Sequence, residues 1–121
     1  MVEQSVMNVT LTDNPTYARL EIDGVINVSN GDEARLPVIK WVEEIKKASS
    51  TKPLVVDLTG LTSLDSAGLG IFVGFFKRLR VNDLPLYFVA PSEDIYKIFR
   101  ITGVAKSLDV YRAFHEIPGL S

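Results

Sequence analysis

The stretch TSLDSAGLGIF, Thr62 to Phe72, sets an acid, a serine and two closely spaced glycines between two apolar segments. Upstream, KPLVVDL is bounded by Pro53 and Gly60 and reads as a short strand buried on both faces. Downstream, Leu69, Phe72, Val73, Phe76 and Leu79 recur at helical spacing and form one core-facing stripe. Lys77, Arg78 and Arg80 suit the negative end of a helix dipole, so this helix is expected to run to about Leu79. The stretch is therefore a strand-to-helix junction. Its serine needs a reason.

Outward from that junction the chain alternates strands with helices. VMNVTL sets Val6 and Asn8 against Met7, Val9 and Leu11, and TDNPT supplies turn residues at Asp13, Asn14 and Pro15. YARLEI then sets Tyr17, Arg19 and Glu21 against Ala18, Leu20 and Ile22, the pattern of a half-buried strand. DGVINVSNGDEARLP is a connection, after which Val38, Trp41, Val42 and Ile45 predict a helix from Val38 to Ala48. Pro37 fits as its first residue; alternatively Ser29 and Asp32 cap an earlier turn and Pro37 marks a kink.

Towards the C-terminus, NDLPLYFVAPS gives a turn and a buried strand, Leu86 to Val89. SEDIYKIFRITG is a serine-capped helix with Ile95, Ile98 and Phe99 inward and Gly103 just past its end. SLDVY reads as a short last strand and RAFHEI as a short terminal helix. The expected fold is α/β, one domain over residues 1–121, with a mixed, mostly parallel sheet of about five strands and about four helices.

Composition narrows the function classes. With 46% hydrophobic and 23% charged residues, the 121-residue chain can bury a core without staples. There is no cysteine, which removes disulfides, thiolate nucleophiles and cysteine-bound metals and fits a reducing cytoplasm. A net charge of −2 without a basic run disfavours direct nucleic-acid binding. MVEQSVMNVTL has no basic region followed by an apolar one, and Leu69 to Phe76 is too short to span a bilayer. A soluble domain is expected.

Four uses of Ser66 can be weighed. Gly68, Gly70 and Gly74 give G-x-G-x-x-x-G, one residue longer than the dinucleotide fingerprint, and no G-K-[ST] follows. A nucleophile elbow needs glycine where Leu64 stands, and the single histidine, His115, lies far along the chain. Asp57 and Asp65 have no acidic or histidine partners at catalytic or metal-ligand spacing. A helix cap by Asp65 or Ser66 is the plainest use, worth about 1 kcal/mol. It leaves the apolar residues beyond the core stripe unexplained. Ile71 and Phe75 lie on another side of the helix, so that side is either buried by neighbours or meets a partner. A phosphate on a serine beside such a face adds about −1.5 to −2 charges, and the helix N-terminus can accept them.

DLTGLTSLDSAGLGIFVGFFKRLR resembles the signature of the STAS domain, in particular of bacterial anti-anti-sigma factors (anti-sigma factor antagonists). LEIDGVINVSN is similar to the family's second strand and turn, and FRITGV to the end of its third helix. The resemblance implies that Ser66, next to Asp65, is phosphorylated by an anti-sigma factor that is also a serine kinase. It implies that the unphosphorylated form binds that kinase and releases a sigma factor, and that a PP2C-type phosphatase restores the serine. Nucleotide then belongs to the kinase, and no cofactor is expected in this chain.

On the same basis Gly68, Leu69 and Gly70 shape the turn and docking helix, with Ile71 and Phe75 on the docking face and Asn27 and Val28 contributed by a neighbouring loop. Asn27 stands where the family often has an acid, and VSNGDEARLP is several residues longer than usual. Two other functions stay open. One is a STAS scaffold or accessory subunit, in a stress-sensing complex or in lipid transport, that uses the face without phosphorylation. The other is a small nucleotide-binding protein.

Overall fold

The computed structural model describes residues 7–31, 33, 35–47, 52–80 and 85–120, with side chains described in all of these but 45–47, 78–80 and 107. Val6, Asp32, Ala48 and the Asn82–Asp83 turn lie outside the described residues, as do the side chains of Ile45, Arg78, Leu79 and Arg80.

The chain opens with two antiparallel strands, β1 (Met7–Asp13) and β2 (Ala18–Ile26), in register from Met7 opposite Gly24 to Asp13 opposite Ala18. Lys52 Nζ ties down their turn by donating to Asp13 Oδ1 at 2.6 Å and to the Asn14 carbonyl at 2.9 Å. Along β2, Ala18, Leu20 and Ile22 are fully buried while Arg19 and Glu21 are half-exposed, the alternation expected of a strand with one face in the core.

Helix α1 spans Arg35–Lys47, three residues earlier at its start than the sequence pattern suggests. Pro37 is its third residue. In the first turn a backbone N–H has no helical acceptor, so the missing donor of proline costs nothing there. Strand β3 (Leu54–Asp57) is buried throughout, and β4 (Leu61–Leu64) is an extra strand that sequence periodicity missed. Helix α2 covers Ser66–Arg80 and β5 covers Leu86–Val89.

Helix α3 (Glu93–Ile101) is capped by Ser92 Oγ, which accepts from the Ile95 N–H at 3.4 Å. Gly103 follows with φ 80, the left-handed region that favours glycine, and reverses the chain into a further helical turn, α4 (Val104–Ser107). Strand β6 is Asp109–Tyr111, and the expected terminal helix is a single 3₁₀ turn, Phe114–Glu116.

The six strands form one sheet in the order β1-β2-β3-β5-β6, with β4 paired in parallel to the remaining length of β2. Only β1 is antiparallel to its neighbour. Alternate residues divide the two faces. Leu20, Leu54, Val56 and Phe88 join Val38 and Trp41 of α1, Phe72 and Phe76 of α2 and Phe99 of α3 in one core. Val55 and Val89 point the other way, where the C-terminal segment closes over them with Phe114, Ile117 and Leu120.

The main core is strongly aromatic. Phe76 meets Phe72 with ring centroids 4.8 Å apart and Phe88 at 5.4 Å, both edge-on. No helix among the described residues is long and apolar enough to cross a membrane.

Candidate functional site

β4 delivers the chain to the junction. The Asp65 N–H donates to the Ile26 carbonyl at 3.2 Å, so the junction is pinned to the end of β2. Asp65 Oδ1 accepts from the Gly68 N–H at 2.6 Å, and its carbonyl accepts from the Leu69 N–H at 2.9 Å. Those two bonds make Asp65 the N-cap of α2. Ser66 is then the first helical residue; it is exposed, and its hydroxyl has no hydrogen-bond partner among the described residues. Capping therefore accounts for the acid and leaves the serine unused.

The loop after β2 braces the same helix end. Asn27 Oδ1 accepts from the N–H groups of Ser29 at 2.9 Å and Asn30 at 3.2 Å. Asn30, 1% exposed, returns the bond by accepting from the Asn27 N–H at 2.9 Å, and its Nδ2 donates to the Val25 carbonyl at 2.9 Å. This self-bonded loop packs on the first turns of α2. A Cβ at Gly68 would lie 2.5 Å from the Asn27 backbone, and one at Gly31 would lie 2.9 Å from the Gly68 carbonyl oxygen and Ile71 Cβ. The side-chain oxygen of Asn27, where an acid was the family expectation, is thus committed to holding the loop.

The residues expected to form the docking face divide in two. Asp65, Ser66, Gly70, Ile71 and Val28 are exposed, and Asn27 is half-buried beside them. Ile71 and Val28 are two of the four large exposed apolar side chains among the described residues. Phe75 is a correction: it is 6% exposed and belongs to the core, its ring 5.0 Å from that of Phe76, while Leu69, 1% exposed, takes the core-facing place its helical spacing gave it and not a place on the docking face. Gly68 is buried too, under the Asn27 loop. A helix laid across a sheet between neighbours buries more than one stripe, which takes Phe75 from the surface. These three residues build the face from beneath.

A buried ionic group lies one turn upstream of β4. Asp57, at the end of β3 and 3% exposed, accepts through Oδ2 from Arg19 Nε at 3.0 Å and from Arg19 Nη2. Its Oδ1 accepts from the Thr59 N–H at 2.9 Å and from the Thr59 hydroxyl. Burial pushes this carboxyl up, but the hydrogen bonds from Thr59 and Arg19 together outweigh it and hold the carboxyl below the usual range. The same bond to Asp57 raises Arg19 above its ordinary value. The Arg19 guanidinium also lies over the Phe114 ring, 5.4 Å from its centroid. Sequence reading left Asp57 without a partner. The only local signal was the acid-x-threonine spacing of a side-chain-bonded turn.

Residues 8–117 match the STAS domain family. The anti-sigma-B factor antagonist of Staphylococcus aureus is 29% identical over 104 residues, which cover 86% of this chain and 92% of that protein. Among solved structures, an anti-sigma factor antagonist from Mycobacterium paratuberculosis superposes with a TM-score of 0.68 at 19% identity, over 96% of this chain and 94% of that one. SpoIIAA, the Bacillus cell fate determinant, superposes in its phosphorylated form with a TM-score of 0.57 at 17% identity, over 90% and 95%. A mixed sheet with helices on one face, a loop braced against the second long helix and a D-S-A-G-L-G junction at its start agree with that match, and the chain belongs to the STAS domain family.

Proposed function

We propose that this protein is an anti-sigma factor antagonist. Its unphosphorylated form binds an anti-sigma factor that is a serine kinase and so frees a sigma factor. Phosphorylation at Ser66 switches it off, and a PP2C-type phosphatase restores it. It acts as a single domain, residues 1–121, in the cytoplasm, with no catalysis and no cofactor of its own.

The observation that carries this reading is the exposed Ser66 hydroxyl at the first position of α2, with Asp65 already providing the cap. A phosphoryl group there adds about −1.5 to −2 charges. The N-terminal end of the helix dipole favours that charge, so the modified form keeps its fold. The change falls instead on the surface shared with Ile71, Val28 and Gly70, which we assign to the docking face with Asp65 and Ser66. A partner that covers these apolar groups would have to bury the new charge beside them, at a cost its contacts do not offset. The relative in Staphylococcus aureus, an anti-sigma-B factor antagonist matched over 92% of its length, supports the same reading.

The test uses the kinase captured with this chain from its native cell. Incubation with that kinase and ATP should add one phosphate, mapped by mass spectrometry to Ser66, and Ser66→Asp should abolish binding. Phosphate at another residue, or undiminished binding by Ser66→Asp, overturns the proposal.

A further inference from the structure

The path from the buried charge to the switch is short and continuous. Asp57 closes the turn at Thr59, and the Gly60 carbonyl accepts from the Gly24 N–H at 3.0 Å. The Asp23 carboxylate lies over this turn: a Cβ at Gly60 would sit 1.8 Å from Asp23 Oδ1 and would have to displace that side chain. β4 then pairs with β2 at three positions only, Leu61 with Gly24, Ser63 with Val25 and Leu64 with Ile26, and the register shifts between the first two. Thr62 is the unmatched residue, and its hydroxyl donates to the Gly24 carbonyl at 2.9 Å. Asp65 and Ser66 follow directly.

A strand of four residues with an irregular ladder has few backbone bonds to hold its register and relies on the burial of Leu61 and Leu64 and on what precedes it. A slip by one residue would move Ser66 by about 3.3 Å and turn the strand's side chains to the opposite face. Something must fix where β4 begins. Leu58, Thr59 and Gly60 are the only residues between the end of β3 at Asp57 and β4, and the Asp57 carboxylate holds Thr59 by two bonds.

We propose that Asp57 is a positioning residue for Ser66: clamped by Arg19, its carboxylate holds the β3–β4 turn and thereby sets the register that places the serine at the head of α2. This rests on Ser66 being the switch, but the first readout needs no kinase. Amide hydrogen exchange by NMR reports the two bonds that seat the junction, Asp65 N–H to Ile26 O and Gly68 N–H to Asp65 Oδ1.

In Asp57→Asn, the exchange of these two amides should rise about tenfold or more, while Leu11, Leu20 and Phe99 keep their rates, because local opening is independent of global unfolding. Thr59→Val, which exchanges the partner hydroxyl for a methyl and leaves the carboxylate and the Thr59 backbone bond in place, should give a smaller rise at the same two amides and serves if the first variant does not fold. With the captured kinase, Ser66 phosphorylation should slow in step with that rise. Unchanged exchange at Asp65 and Gly68 overturns the proposal, as does an equal rise at every amide, which would mark Asp57 as a general structural residue. If the amides respond but the phosphate maps elsewhere, positioning stands and the proposed function falls.

Discussion

At Gly68 a methyl group would sit 2.5 Å from the Asn27 backbone, whereas at Gly70 it would meet no atom within 4 Å. Gly68→Ala must push the loop away from α2 and should cost about 1–3 kcal/mol. Gly70→Ala meets no such obstacle and removes the flexibility of a mid-helix glycine, so it should stabilise by about 0.5–1 kcal/mol. Chemical denaturation of both variants reads the opposite signs. The docking face assigned to Gly70 adds a second expectation: the stabilised variant should bind the captured kinase more weakly, because its new methyl occupies the space a partner would use. Equal or tighter binding would remove Gly70 from that face. The two glycines look alike in the sequence, and only the neighbour on one side separates them.

Among the elements, α2 joins the core to the exposed Ser66, the proposed switch. Phe76, fully buried and ringed by Phe72, Phe75 and Phe88, should cost about 3–5 kcal/mol when cut to alanine, measured by urea unfolding. Elements with a clear period were legible from sequence alone. The strand at Leu86–Val89, the serine cap before Glu93 and, in the inward stripe of α2, Leu69, Phe72, Val73 and Phe76 stand where the pattern put them. β4 was not legible, because Leu61 and Leu64 are buried while Thr62 and Ser63 are exposed, a spacing that the register shift creates and that fits no period of two. The α1 start was displaced because its first two residues, Arg35 and Leu36, are exposed and carry no pattern. At the junction the motif marked Ser66 as the candidate, but Asp65 and Ser66 are equally good caps on paper. Phe75 was misplaced because helical spacing separates faces without saying which of them a neighbour covers.

For the whole molecule, the sheet is closed on one face by helices and on the other by the chain's own C-terminal segment. The Arg19–Asp57 pair ties β2 to β3 on the C-terminal side and touches Phe114. Because the Asp57 carboxyl is held below its ordinary value, the stability it contributes is complete above the unfolded value, about 3.9. It is lost as pH falls through the lower folded value. Thermal unfolding from pH 7 to 3 should therefore show a steeper acid decline in the native protein than in Asp57→Asn, and parallel curves would mean that the pair adds nothing. The assignment of the capping bond to Asp65 rather than Ser66 also bears on timing. Under the proposed function, the Asp65 cap of α2 does not have to break for a phosphate to be added to Ser66 or removed from it, so the tempo of the response would rest with the proposed kinase and phosphatase.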